Sequence, residues 1–189
     1  MEVYGPKWLS NCSRTVTGHA ACSAVIPCHT EYVGNRREQI TMSDAELAGF
    51  LEECRTVILC TIGPDGVPDP VPMWFVQRRD GLYMRTYAKS QKVANLRRDP
   101  RVSVLAETGD RYAELRGVQY SGTVEISIDV EVICEVFADL MVKYEGMNPA
   151  HRAAAATGYQ QKAAQMVAMR LVPQTTLSWD HRKLAASHS

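Results

Sequence analysis

Residues 82–105 read LYMRTYAKSQKVANLRRDPRVSVL and carry the clearest signal for the fold. A short run of apolar and aromatic residues predicts a strand over residues 82–86. Apolar residues at helical spacing follow Ser90 and predict a helix that ends before Pro100. The β-branched residues of 102–106 then predict another strand. The stretch therefore predicts a strand, a turn, a helix and a second strand in succession.

The turn between this strand and this helix concentrates groups that bind phosphate. A helix N-terminus offers unpaired backbone N–H groups and the positive end of the helix dipole. Thr86 and Ser90 add hydroxyl donors, and Arg85, Lys89 and Lys92 add positive charge. The residues alone leave two interpretations open: a phosphate-binding turn, or a solvated basic loop in which Ser90 only caps the helix.

A helix and two strands are predicted upstream of this stretch. Ser43 and Glu46 form a capping-box pattern, and the apolar stripe behind them predicts a helix up to about Cys54. A β-branched run predicts a buried strand over residues 56–62, and a Gly-Pro-Asp-Gly turn leads to a returning strand over residues 70–76. Two prolines limit hydrogen bonding in the returning strand, so we expect it to be an edge or bulged strand.

The downstream half predicts a long strand, two helices and closing strands. The patterns place a strand over residues 116–126, a helix capped by Asp129, a helix over 153–164, and closing strands over 166–172 and 175–179. Short hairpin connections favour antiparallel pairing. We therefore predict a mainly β domain with flanking helices (α+β), an antiparallel barrel with the helices packed outside, and not a βαβ nucleotide fold.

Composition narrows the class of protein. The chain has 189 residues with 21 Lys+Arg and 21 Asp+Glu, and this zero formal net charge argues against a nucleic-acid-binding protein. No apolar run is long enough to cross a bilayer, and no secretory signal is recognisable, so we expect no membrane association. The six cysteines form no CxxC pair, which is typical of a reduced, cytoplasmic protein.

The first 41 residues differ from the rest and show no clear periodicity. Cys22, Cys28 and His29 lie close together, but their spacing fits no familiar zinc pattern. We predict that residues 1–41 are an irregular or disordered extension without a metal site. The barrel domain is expected to cover residues 42–189.

Two tryptophans lie where a planar ligand could bind. Trp74 belongs to the returning strand, whose free edge groups could face the polar rim of a ring system, although the isolated segment favours a core strand with Trp74 buried. Trp179 lies among charged residues and could stack on a ring or anchor a dimer contact, or belong to a surface tail. His181 beside it could move protons or be a bystander.

Four segments in order carry a family resemblance. They read TIGPDGVPDPVPMWFV, LYMRTYAKSQKVANLRRDPRVSVL, ELRGVQYSG and RLVPQTTLSWDHRKL. Over about residues 42–184 the chain resembles the pyridoxamine 5′-phosphate oxidase-like superfamily of flavin- and deazaflavin-dependent proteins. The resemblance implies a split β-barrel of the FMN-binding-protein type that forms a homodimer with two cofactor sites at the subunit interface.

The resemblance also implies which residues hold the cofactor. Thr86, Ser90, Gln91 and Lys92 match the family's phosphate-binding turn, beside Arg85 and Lys89. The strand along the flavin ring matches residues 71–74, Arg116 and Gly117 match a strand that borders the ring, and Trp179 matches an aromatic that reaches the partner's cofactor. The expected cofactor-binding residues are Val71, Pro72, Met73, Trp74, Arg85, Thr86, Tyr87, Lys89, Ser90, Gln91, Lys92, Arg116, Gly117 and Trp179.

The function implied is that of an oxidoreductase whose ring cofactor, FMN or deazaflavin F-420, exchanges hydride with a small organic substrate. The Arg-x-x-Leu-Leu-Lys ring strand of pyridoxamine phosphate oxidases is replaced here by Pro72-Met73-Trp74-Phe75, which looks closer to the deazaflavin branch. Both cofactors present a phosphate to the same turn, so the turn does not choose between them. The sequence shows no catalytic triad or paired carboxylates, and the alternative is a non-catalytic flavin or haem carrier, with His181 or His151 as the haem ligand to test.

Overall fold

The structure, a computed structural model, describes residues 36–186. This part of the chain folds into seven strands and six α-helices. In chain order they are α1 (Arg36–Ile40), α2 (Asp44–Glu53), β1 (Val57–Ile62), β2 (Pro68–Met73), β3 (Phe75–Arg78), β4 (Gly81–Tyr87), α3 (Gln91–Arg98), β5 (Arg101–Thr108), β6 (Arg116–Ser127), α4 (Val130–Glu145), α5 (Arg152–Ala163), β7 (Met166–Asp180) and α6 (Arg182–Ala186).

The predicted helix starts are confirmed by their caps. The Ser43 N–H donates to Glu46 Oε2 at 2.7 Å, and the Glu46 N–H donates to Ser43 Oγ at 3.4 Å, which completes the capping box of α2. At the start of α4 the Glu131 N–H donates to Asp129 Oδ1 at 2.8 Å. The same helix ends at Gly146, whose φ of 66° lies in the left-handed region that glycine adopts without strain.

The seven strands form one antiparallel sheet in the order β2-β1-β5-β6-β7-β4-β3. β2 and β3 are the two edge strands, yet only Trp74 separates them in the chain. Since one residue spans only about 3.3–3.6 Å, the sheet must curl until its edges approach each other. The result is a half-barrel with flanking helices, which confirms the predicted fold class.

Two predicted strand boundaries are wrong. The strand expected over residues 70–76 is broken at Trp74, because its first half pairs with β1 and its second half with β4 at the other end of the sheet. The two closing strands are one strand, β7, in which Gln174 is an extra residue between the pairs Ser121–Thr175 and Gly122–Pro173. The edge position expected for the proline-rich strand is confirmed, since β2 is an edge strand.

Two apolar clusters hold the sheet and helices together. The larger fills the inside of the curled sheet and includes Phe75, Met84 and Val104, each fully buried. The smaller lies between the outside of β3, β4 and β7 and the pair α4–α5, around Ile133 and Tyr159. Alternate residues of β4 therefore face two different apolar environments. This alternation decides which way the side chains at the end of the strand point.

The described part of the chain begins within the extension predicted for residues 1–41. Residues 36–40 form α1, and the Met42 N–H donates to Ser178 Oγ of β7 at 3.1 Å. Cys22, Cys28 and His29 lie outside the described residues. Among residues 36–186 no helix is both long and apolar enough to cross a bilayer.

Candidate functional site

The turn between β4 and α3 gathers backbone and side-chain donors. Thr86 is buried near the end of β4, and its Oγ1 lies 3.5 Å from Ser90 Oγ. Ser90 occupies the N-cap position of α3, but its hydroxyl does not cap the helix. Among residues 36–186 no acceptor bonds the N–H groups of Gln91 and Lys92, whereas the Val93 N–H donates to Ser90 O at 3.1 Å. Two hydroxyls and two amides are therefore available to an anion at this helix N-terminus.

A buried amide fixes the helix that carries these donors. Asn95 is fully buried in α3, and its Nδ2 donates to Thr61 Oγ1 and Asp69 Oδ2, each at 2.9 Å. Its Oδ1 accepts from Gln91 Nε2 at 2.9 Å and from Arg98 at 3.3 Å. These bonds tie α3 to β1 and β2, so the helix N-terminus holds its place against the sheet. Sequence reasoning missed Thr61, Asp69 and Asn95, because they meet only in the folded chain.

The structure separates Arg85 from the turn. Arg85 and Thr86 are neighbours in β4, so their side chains point to opposite faces of the strand. The Arg85 guanidinium bonds the Tyr159 hydroxyl and lies 5.2 Å from the Phe137 ring centre, under α4 and α5. Its Nε is buried without a hydrogen-bond partner among the described residues, and burial raises the pKa of Tyr159. Arg85 as a phosphate ligand stays a prediction that this geometry does not favour.

The other predicted residues of the turn lie at its surface. Tyr87, Lys89 and Gln91 are exposed, and Lys92 is half-buried. The Ala88 N–H donates to Gln165 O at 2.9 Å and joins the turn to the residue before β7. The turn is thus exposed to solvent and rich in hydrogen-bond donors. Its backbone is fixed by the bond to Gln165 and by the attachment of α3 to the sheet.

The strand predicted to border a ring ends in an aromatic stack. Met73 is buried, Val71 is half-buried and Pro72 is exposed. Trp74 is 46% exposed and stacks on Tyr144, with ring centres 4.4 Å apart and planes 6° apart. The interpretation of this segment as a core strand with Trp74 buried is therefore wrong.

Tyr144 connects that stack to the backbone of β3. Its hydroxyl accepts from the Phe75 N–H at 3.0 Å and donates to Phe75 O at 2.9 Å. Burial raises the pKa of Tyr144, and the Arg55 guanidinium lies 4.7 Å from the centre of its ring. Sequence reasoning missed this role, because Tyr144 showed only the apolar spacing of its helix.

The remaining predicted residues, near the C-terminal end of β7, contact residues of their own chain. Gly117 and Trp179 are directly opposite in β6 and β7, and the indole lies where a side chain on Gly117 would be. Arg116 pairs with Glu53 at 2.7 Å. His181 Nδ1 lies 2.9 Å from Tyr112 O. The contact of Trp179 with a partner's cofactor stays a prediction.

The outside of the sheet carries a continuous row of side chains that we call the outer row. Its members are paired across five neighbouring strands: Pro72, Ile58, Leu105, Gln119 and Leu177. Ile58 is 37% exposed and Leu177 is 42% exposed. Gly117 and Trp179 lie on the same face, two positions from Gln119 and Leu177. The row runs from the strand predicted to border the ring to the strand that carries Trp179.

Three concavities of about 440, 250 and 210 Å³ lie on the described surface. None of these three is lined by residues 86–92. Within the described range no group of His, Cys, Asp and Glu side chains is arranged to hold a metal ion. A ring held by a phosphate at this turn would therefore need further residues to cover it.

Comparisons with known proteins agree on the family and the fold. The family profile described as pyridoxamine 5′-phosphate oxidase matches residues 43–179. A conserved hypothetical protein from Mycobacterium tuberculosis is 42% identical, with a TM-score of 0.71 over 79% of this chain and 91% of that one. A structure named F420 reductase is 25% identical, with a TM-score of 0.51 over 68% and 93% of the two chains.

A third similar structure is that of HutZ, the heme storage protein from Vibrio cholerae. It is 20% identical, with a TM-score of 0.55 over 70% of this chain and 93% of that one, and this likeness shows the fold alone. No curated protein matches the sequence.

Proposed function

This chain belongs to the pyridoxamine 5′-phosphate oxidase family, and we propose that it is a homodimeric oxidoreductase whose flavin-type cofactor binds by its phosphate at the β4–α3 turn. The observation that carries the proposal is the set of free donors at that turn. Thr86, Ser90 and the first two amides of α3 converge there. A helix of eight residues with unpaired N–H groups at its start suits a dianionic phosphate.

The proposed cofactor is deazaflavin F-420 or FMN. The match to the structure named F420 reductase supports the deazaflavin, and it covers 93% of that chain. When bound, such a ring accepts or donates hydride, so the protein has to supply position, shielding and electrostatics. Lys92 would add a charge-assisted bond to the phosphate, and Ser90 and Thr86 would orient it.

We propose that a second copy of the chain covers the cofactor ring. Pro72 belongs both to the strand predicted to border the ring and to the outer row. A partner seated on the outer row would therefore lie beside residues 71–74, close to the exposed indole of Trp74. Burying Ile58 and Leu177 in this way would also remove apolar surface from water.

The direct test is to identify the cofactor that the purified protein carries and then to titrate FMN and F-420 separately. We expect one of the two to bind with the absorbance of an oxidised tricyclic ring. A Soret band with no affinity for either ring cofactor would contradict the proposal and indicate a haem carrier.

The phosphate position is tested by Ser90→Ala and Lys92→Ala. Each removes a hydrogen bond to a charged group, which typically costs about 1.5–3 kcal/mol, so we expect affinity to fall roughly ten- to a hundredfold. Arg97→Ala is the matched control, because Arg97 is an exposed cation at the other end of the same helix. Unchanged affinity in the Ser90 and Lys92 variants would show that the phosphate binds elsewhere.

A further inference from the structure

A cavity of about 440 Å³ lies beside the open edge of β3, away from the β4–α3 turn. Gln77 lines it from the strand, and Asp139, Val142 and Lys143 line it from the C-terminal half of α4. Arg152 at the start of α5 contributes a further side. Its volume is in the range of small-molecule sites.

The pairing of β3 shows which of its backbone groups point out of its open edge. The Phe75 N–H donates to the Tyr144 hydroxyl, and the Phe75 C=O accepts from it, so both groups point away from β4. Backbone direction alternates along an antiparallel strand, so the N–H and C=O of Gln77 point out of the same edge. Among the described residues neither group has a hydrogen-bond partner. Tyr144 is adjacent to Lys143 in α4, so the open edge faces the helix that forms the cavity wall.

The length of this open edge decides the size of the ligand. Phe75 is already occupied by Tyr144, and Arg78 is paired with Gly81 next to the hairpin turn. Of the backbone groups on the open edge of β3, only the N–H and C=O of Gln77 have no partner among the described residues. An added peptide strand would need several such pairs in a row, whereas one pair matches a single amide or lactam group.

The cations around the cavity are already engaged within the chain, whereas the lining carboxylate of Glu52 forms no ion pair with any described residue. Arg152 pairs with Asp139, and Arg78 lies 3.5 Å from the same carboxylate. Lys143 Nζ donates to Leu51 O at 3.0 Å and lies 3.8 Å from the centre of the Phe75 ring. Burial lowers the pKa of Lys143. The lining cations are thus engaged by their own chain, which favours an uncharged ligand over an anion.

We propose that this cavity binds an uncharged planar heterocycle through a lactam edge, whose carbonyl accepts from the Gln77 N–H and whose ring N–H donates to Gln77 O. The site is separate from the phosphate-binding turn, and the proposal stands whether or not the turn binds a flavin. Uracil has the required edge and is the probe. 1,3-Dimethyluracil keeps the planar ring and both carbonyls, but each ring nitrogen carries a methyl group, so it has no N–H to donate.

The experiment follows the backbone amide resonances of the ¹⁵N-labelled full chain during titration with each probe. We expect uracil to shift the Gln77 resonance saturably and to bind at least about tenfold more tightly than 1,3-dimethyluracil, as loss of one hydrogen bond implies. A Gln77 resonance that does not move with uracil up to its solubility limit overturns the proposal. Equal responses to the two probes overturn it as well.

Two variants locate the ligand. Val142→Phe should fill the cavity and abolish the uracil response, while Val130→Phe changes an exposed valine at the start of the same helix and should leave it intact. If Val142→Phe does not fold, the comparison of uracil with 1,3-dimethyluracil on the unmodified chain still tests the proposal. A Gln77 shift caused by FMN or F-420 that blocks uracil would assign the cavity to the cofactor and overturn the proposal.

Discussion

At the scale of single residues, Asn95 illustrates how one buried amide fixes a binding turn. Removing the Asn95 amide would leave Thr61 Oγ1 and the Asp69 carboxylate without this hydrogen-bond donor. We expect Asn95→Ala to lower the free energy of unfolding by about 2–3 kcal/mol, because unsatisfied buried polar groups are costly. Urea denaturation measures the loss.

The matched control for Asn95 is Gln91→Ala. Gln91 is exposed and makes one of the bonds to Asn95, so its loss should cost no more than about 1 kcal/mol. Equal losses in the two variants would mean that the buried network does not hold α3 in place.

Gly117 shows a different constraint, imposed by contact with an aromatic ring. A Cβ at this position would overlap Trp179 Cζ2 and lie 2.6 Å from Cε2, so the indole would have to move. We expect Gly117→Ala to destabilise the fold by about 1–3 kcal/mol and to change the tryptophan fluorescence.

Gly49→Ala is the counterpart, because nothing lies within 4 Å of its added Cβ in α2. That variant should be as stable as the parent or more stable by about 0.5–1 kcal/mol, since alanine favours helices. Thermal unfolding compares the two glycine variants, and a Gly117→Ala protein with unchanged stability and fluorescence would contradict the packing described.

The residues of the site differ in how far sequence could predict them. Thr86 and Ser90 are close in the chain and share one local turn, so their approach follows from strand and helix patterns. Asn95 meets Asp69 across 26 residues, and Tyr144 meets Phe75 across 69, so no local pattern contains them. Arg85 was placed at the turn by its position in the chain, whereas the alternation of β4 turns it to the other face.

At the scale of elements, the end of β7 depends on a carboxylate. Asp180 is buried and accepts from the Arg182 backbone N–H at 3.0 Å and from its guanidinium at 2.6 Å. These bonds to Arg182 lower the pKa of Asp180. A carboxyl whose folded pKa is lowered stabilises the fold above its unfolded pKa of about 4, and the contribution disappears as pH falls through the folded value.

We therefore expect Asp180→Asn to lose about 1–3 kcal/mol of stability at about pH 7, and the difference from the parent to shrink towards about pH 3 and below. Urea unfolding over this pH range measures it. Asp110→Asn, at an exposed loop position, should stay within about 0.5 kcal/mol of the parent throughout. A difference for Asp180→Asn that does not depend on pH would show that the charge of this carboxylate is unimportant.

The elements themselves were largely predictable, and the exceptions have physical causes. Capping residues and apolar spacing placed α2, α3, α4 and α5 within a few residues of their observed bounds. The break at Trp74 was not predictable, because β-propensity continues across it and only the sheet order shows that the two halves have different partners. Likewise, Pro173 suggested a gap in β7, whereas a bulge at Gln174 carries the strand through.

At the scale of the whole molecule, the curled sheet leaves its outer row available to a partner. Leu177 and Ile58 are partly exposed there, while the inside of the curl and the α4–α5 side are already packed. A sheet face with exposed apolar residues is a common interface between identical chains. The proposed dimer would thus complete the ring site and cover the outer row in one contact.

Leu177→Asp tests that link between assembly and ligand binding. A carboxylate in this apolar interface would be buried without a partner, so we expect a folded monomer with at least about tenfold weaker cofactor affinity. Ile128→Asp is the matched control: this isoleucine is 76% exposed between β6 and α4, off the outer row, and its variant should remain a dimer with unchanged affinity. Analytical ultracentrifugation with and without cofactor separates the outcomes, because a ligand that binds only the dimer must also favour dimerisation. A Leu177→Asp protein that still sediments as a dimer would place the interface elsewhere, and a monomer that binds cofactor normally would show that one chain supplies the whole ring site.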